Sequence, residues 1–252
     1  MSIRIESVGD AAIITIDRPH AKNALDRETA RRLGEAVRSA AGDPQVRGIV
    51  LTAAGADVFV SGGDLKEFKG LAQADGGGQA VIAMADDLRA IEDCEVPVVA
   101  AVRGDVLGGG CELVLLCDYV IIERHASFAF RHAKMGLTPA WGGLTRLVER
   151  VGPQEAARLL FTAERVGADE ALRIGLAAEV VDSGTARDRA IAQVNRIADN
   201  PRRTVAAIKQ ALQAVREARR GDAFAREREV FAAMWGAEDH QRAMSAPPRA
   251  KT

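Results

Sequence analysis

Apolar and polar positions along this chain alternate between stretches with a helical period and short β-branched runs. At the start, "IRIESVGDAAIITIDRP" predicts two short strands around a Gly-Asp turn, with Pro19 ending the second. "DRETARRLGEAVRSAAGD" carries Leu33, Ala36, Val37 and Ala40 at the spacing of an amphipathic helix. "VRGIVLTAA" predicts a buried strand, and the Gly-rich "ADGGGQ" predicts a mobile surface loop at residues 76–78. A helix is expected through "VIAMADDLRAIEDC", a buried strand at "VPVVAAV", and two further short strands at "YVIIE" and "SFAF". The strands are apolar throughout rather than at every second residue. That pattern predicts an α/β architecture with parallel sheet covered on both faces. From Pro201 onward only helix is predicted, over "RTVAAIKQALQAVREARR" and "DAFAREREVFAAMW". The chain therefore divides into a core, 1–196, and a helical region, 197–252. At about 50 residues the latter is too small to stand alone, so it is expected to pack on the core or on a neighbouring subunit.

Composition narrows the classes of function. A chain of 252 residues, 48% hydrophobic and 27% charged, can bury one large core. Its net charge of −1 gives no support to nucleic-acid or membrane-surface binding. Cys94, Cys111 and Cys117 form no CxxC pair and are odd in number, which predicts reduced thiols in a cytoplasmic compartment. "MSIRIESVGD" lacks the apolar run of a signal peptide, and no apolar stretch approaches the ~18 residues of a membrane span. A soluble protein is expected. His20, His125, His132 and His240 are scattered with no HExxH, so no metal site is predicted.

Two stretches combine a strand, a glycine turn and a helix-like start. They are "VFVSGGDLKEF", with Gly62 and Gly63, and "VRGDVLGGGCELVLLCDYV", with Gly108, Gly109 and Gly110. Each can present a backbone N–H at a helix start, where negative charge is favoured, and two converging N–H groups would make an oxyanion hole. The competing explanation is that the glycines allow tight packing. Neither stretch has the Lys-Ser/Thr pair of a phosphate loop, and the glycine register is wrong for a dinucleotide fingerprint. Glu112 lies three residues after Gly109, about one helical turn, and runs into apolar "LVLL". A carboxylate buried there either pairs with a cation or does chemistry.

At these residues the sequence resembles the crotonase family, the enoyl-CoA hydratase/isomerase superfamily. The resemblance extends from "IDRPHAKNALD" through both glycine turns and "MGLTPAWGGLTRL" to "ADEALRIGLAAEVVD". The stretch "REVFAAMWGAEDHQRAM" is similar to the family's C-terminal helices. The resemblance implies a spiral core of repeated β-β-α units with a helical tail, assembled as trimers or hexamers. It also implies an acyl-coenzyme A thioester as substrate and no separate cofactor, coenzyme A being part of that substrate. Gly63 and Gly109 match the two oxyanion N–H positions, each such donor being worth about 3 kcal/mol in the transition state. Within Arg18–Leu25, His20, Ala21 and Lys22 match the loop along the coenzyme. Asp64, Leu65 and Lys66 continue the substrate-side turn. Lys22 and Lys66 read equally well as solvated surface charge.

In the family's hydratases two glutamates hold the reacting water. The first matches Glu112. The second lies four residues before the glycine matching Gly136, and there the chain has His132, preceded by Arg131 instead of proline. Three readings of His132 stand: acid–base work in place of the glutamate, a hydrogen bond that fixes Glu112 or a substrate group, or a satisfied histidine with no catalytic part. Asp105 is a second departure, at a position commonly apolar or aromatic. Arg131 either pairs with Asp105 or turns inward, where it would favour an acyl group bearing a carboxylate. The expected function is enoyl-CoA hydratase-type, a hydro-lyase. The alternatives are an enoyl-CoA isomerase with Glu112 as single base, an acyl-CoA decarboxylase, or a catalytically impaired acyl-CoA-binding homologue.

Overall fold

The computed structural model describes residues 2–246. As the N-terminal pattern predicts, β1 (Ile3–Val8) and β2 (Ala11–Ile16) pair antiparallel around Gly9 and Asp10. Helix α1 (Arg27–Gly42) starts at Asp26, whose carboxylate accepts the Thr29 N–H at 2.7 Å, and buries Leu33, Ala36, Val37 and Ala40. Three units then repeat one order, strand, strand, helix. The first is β3 (Gly48–Ala53) and β4 (Val58–Val60), with α2 (Leu65–Leu71), α3 (Gly77–Leu88) and α4 (Ala90–Asp93). The second is β5 (Val98–Val102), β6 (Asp105–Leu107) and α5 (Gly109–Leu115). The third is β7 (Tyr119–Glu123), β8 (Ser127–Ala129) and α6 (Gly143–Thr162). Then come β9 (Val166–Gly167), α7 (Ala168–Arg173), β10 (Glu179–Val181) and α8 (Ala186–Ala198). The tail is α9 (Arg202–Arg220), α10 (Ala223–Met234) and α11 (Glu238–Ser245).

Each strand pair is split between two sheets. The first members join a six-stranded sheet, β1-β2-β3-β5-β7-β10, parallel except for β1. The second members lie side by side and parallel in a smaller sheet, β4-β6-β8, which β9 extends antiparallel. The larger sheet is covered on both faces. Ile13, Val50, Val99, Ala101 and Ile121 pack against Ala186, Ala190 and Val194 of α8. Their neighbours Ile14, Leu51, Val98 and Ile122 face the opposite cluster, with Leu33 and Leu88. Successive side chains of a strand point to opposite faces, so a strand sandwiched this way must be apolar at every position.

The expected loop at residues 76–78 is corrected. Gly77 and Gly78 open α3 and are buried. A Cβ on Gly77 would overlap the Leu71 carbonyl oxygen, and one on Gly78 would lie 2.9 Å from Trp235 Cγ. These glycines serve close approach to α2 and to the tail.

A buried ionic cluster ties the tail to the core. Glu92 of α4 accepts from Arg146 of α6, and from Arg220 of α9 at 2.8 Å. Arg220 also binds Glu149 at 2.6 Å, and the Phe224 ring lies 4.6 and 4.8 Å from the two guanidinium carbons. Burial pushes the Glu92 carboxyl up, but hydrogen bonds from Arg220 and Arg146 outweigh it and hold the group at about 2. Among the described residues no helix is long and apolar enough to cross a membrane.

Candidate active site

Because β4, β6 and β8 are parallel neighbours, their C-terminal ends share one edge of the small sheet. Ser61–Gly63 follow β4, Gly108–Gly110 follow β6, and Phe130–His132 follow β8. The turns touch: Gly108 N–H donates to the Ala129 carbonyl at 2.9 Å. A Cβ on Gly62 would lie 3.1 Å from the Gly109 nitrogen. The two glycine turns singled out in the sequence therefore converge.

Gly109 is the first residue of α5, so its N–H has no acceptor within the helix. No turn or loop hydrogen bond among the described residues uses the N–H of Gly63 or of Gly109. Each glycine also carries an aromatic ring where a side chain would stand. Phe68 fills that place at Gly63, and Trp141 Cζ3 would be 2.6 Å from a Cβ on Gly109. The tight packing expected of the glycines is present, and it leaves both N–H groups without a turn or loop acceptor among the described residues.

One turn along α5, Glu112 is almost wholly buried and accepts from every direction. Its Oε2 accepts the N–H of Trp141 at 2.7 Å, Gly143 at 3.0 Å and Ala140 at 3.2 Å. Its Oε1 meets His132 Nε2 at 3.0 Å. The donors are the segment leading into α6 together with its first residue, which explains how an apolar helix tolerates the carboxylate. An ionised carboxylate only accepts, so in this contact the proton is assigned to His132 Nε2. Nδ1 is buried and makes no hydrogen bond to the protein. His132 is one of the residues around a cavity of about 520 Å³, walled also by Leu137, Thr138, Leu144, Leu160 and Met234. Gly63 and Gly109 are not in that wall.

The segments expected to lie along a coenzyme also meet. Leu25 N–H donates to Gly62 O at 2.8 Å, and Asp64 N–H returns to Leu25 O at 2.9 Å. Asp64 caps α2 through Lys66 N–H at 3.0 Å and pairs with Arg18 at 2.9 Å. Burial raises the Asp64 carboxyl, but Arg18 and the α2 amides prevail and hold it below its ordinary value. His20, Lys22, Leu65 and Lys66 are exposed, and Ala21 is half-buried between the first two.

The expected Arg131–Asp105 pair does not form. Asp105 pairs with Arg165 at 2.6 Å and accepts from Ser127 Oγ at 2.7 Å, because β9 brings the segment ending in Arg165 alongside β8. Arg131 is exposed and absent from the cavity wall, so the inward placement that favoured an anionic acyl group loses its support.

Two residues escaped the sequence reading. Trp141 lay within a quoted motif, "MGLTPAWGGLTRL", and a bulky aromatic before two glycines was the available signal. Glu227 gave none, since it sits among charges in "REREVF". It is buried and accepts Leu144 N–H at 3.2 Å, Thr145 N–H at 3.1 Å and Thr145 Oγ1 at 3.0 Å. Burial, then the nearby Glu112 charge, push its carboxyl up to about 7 against these donors.

Known proteins share both sequence and fold. The family description "Enoyl-CoA hydratase/isomerase" matches residues 7–247. A short-chain-enoyl-CoA hydratase of Clostridium acetobutylicum is 36% identical, over 97% of this chain and 94% of that protein. A carnitinyl-CoA dehydratase of Proteus mirabilis is also 36% identical, over 86% and 82%. The crystal structure of an enoyl-CoA hydratase/isomerase from Mycobacterium paratuberculosis superposes with a TM-score of 0.89 at 28% identity, covering 97% of each chain. Matched along nearly its whole length in sequence and in structure, this chain belongs to the enoyl-CoA hydratase/isomerase family.

Proposed function

We propose that the protein is an enoyl-CoA hydratase-type lyase, adding water across the double bond of a short trans-2-enoyl-CoA. The observation that carries this reading is the Glu112–His132 contact, 3.0 Å, set one helical turn from Gly109. The thioester oxygen takes the N–H groups of Gly63 and Gly109, which stabilise the enolate that forms as water attacks the β-carbon. His132 Nδ1 takes a proton from that water while its oxygen bonds the β-carbon. Glu112 holds the Nε2 side and balances the imidazolium. The same proton then passes to the α-carbon, and the enolate electrons return to form the C–H bond. Glu112 already accepts on both oxygens, so the group with a free lone pair is the histidine.

The coenzyme lies along His20–Lys22 and Asp64–Lys66, two segments joined through Leu25 and Gly62. Coenzyme A enters as part of the substrate, with no other cofactor. A homotrimer or hexamer is proposed from the family resemblance, supported by the exposed Phe161 and by Ile208, Leu212 and Val215 exposed along α9. The three free thiols support a cytoplasmic location.

The test is the absorbance of crotonyl-CoA mixed with the purified protein, with Glu112→Gln as control. Rapid loss that the control lacks supports hydration. Demonstrable acyl-CoA binding without loss of absorbance overturns it and leaves isomerisation as the next reaction to assay.

A further inference from the structure

Trp141 lies between Glu112 and Gly109, the groups that the proposed reaction sets around the reacting carbons. Its main-chain N–H meets the Glu112 carboxylate at 2.7 Å, and its ring edge lies against Gly109 Cα. An acyl group with its thioester oxygen on the Gly109 N–H and its reacting carbons near Glu112 therefore runs along this residue. The indole is not free to swing aside. Its Nε1–H donates to the Val81 carbonyl of α3 at 2.9 Å, so the ring is pinned at its far end. Its carbonyl accepts from Arg146 at 3.0 Å, and Arg146 is itself locked by Glu92 in the buried cluster. Trp141 as a whole is only 4% exposed, so ring and main chain are both enclosed.

We infer that Trp141 is the specificity-determining wall of the acyl site, closing it just beyond the reacting carbons and restricting the enzyme to short acyl groups. This rests on the acyl-CoA reading above and adds the residue that sets chain length. An indole occupies the room of several methylenes, and each methylene newly buried there is worth roughly fourfold in affinity.

The test is calorimetric binding of saturated butyryl-, hexanoyl- and octanoyl-CoA, which needs no turnover. The native chain should lose affinity, or gain none, from butyryl to octanoyl. Trp141→Ala should reverse that order, with an octanoyl-to-butyryl preference shifted roughly tenfold or more. Trp141→Leu, which keeps an apolar core group, should shift it part of the way and guards against loss of fold. Parallel chain-length profiles in a folded variant and the native chain would overturn the inference. If the native chain binds acyl-CoA but hydrates none, the hydratase reading falls while the profile still decides Trp141. If it binds no acyl-CoA, both are overturned.

Discussion

Glu112 and Glu227 divide between them the amides at the start of α6. Glu112 takes those of Ala140, Trp141 and Gly143, and Glu227 takes those of Leu144 and Thr145. Two buried carboxylates thus sit at one helix start, where the macrodipole favours negative charge but mutual repulsion opposes it. Repulsion and burial act visibly on Glu227, which stands at about 7.

Stability should therefore fall with pH through this group. An unfolded glutamate titrates near ~4.3, so between there and about 7 the native state holds the extra proton. The contribution is complete below the unfolded value and is lost as pH rises to about 7, an effect of about 4 kcal/mol. Urea unfolding of Glu227→Gln at pH 5 and pH 7.5 should lack the descent that the native chain shows. Equal slopes in both would remove Glu227 as its source.

Glu92 carries the opposite sign. Its folded value of about 2 lies below that of the unfolded chain, so its stabilisation is present above the unfolded value and is lost as pH falls through the folded one. Glu92→Gln leaves Arg146 buried without a counter-charge and Arg220 with Glu149 alone, at a cost of about 3–5 kcal/mol. Limited proteolysis should then cut first within α9–α10, which this cluster fastens.

Gly143→Ala should cripple catalysis. A Cβ there would overlap Glu112 Cγ, forcing the carboxylate off its donors and away from His132. Turnover should drop by about 10²-fold, the scale of a misplaced acid–base group, while acyl-CoA affinity stays within a few-fold. Loss of affinity with turnover intact would mean that Glu112 does not orient the reacting groups.

His132→Ala should lower kcat by about 10²–10⁴-fold with little change in KM. Added imidazole should restore part of the rate, since His132 is one of the residues around the cavity. A variant as fast as the native chain would reassign proton transfer to Glu112.

Much of the fold was legible in residue patterns because its signals are local. The spacing of Leu33, Ala36, Val37 and Ala40 announced α1, and unbroken apolar runs announced strands buried on both faces. The partition into two sheets was not legible, because strands of three residues such as β6 carry too little pattern. Gly77 and Gly78 misled for a related reason: what excludes a side chain there is Leu71 and Trp235, the latter more than a hundred residues away. In the site, the glycine turns, Glu112 and His132 were found from spacing and resemblance. Glu227 and the Asp105–Arg165 pair were not, since each depends on which distant segment folds back beside it.

The alignment of β4, β6 and β8 makes the site modular. Each unit delivers its contribution just past the end of its own strand: Gly63 from the first, Gly109 from the second, His132 from the third. On the proposed roles, the pair that would bind the carbonyl belongs to two of these units and the histidine that would move the proton to another. On that reading, a substitution in the loop after β8 leaves the two glycine turns untouched, so one scaffold can vary its proton-moving group a single segment at a time.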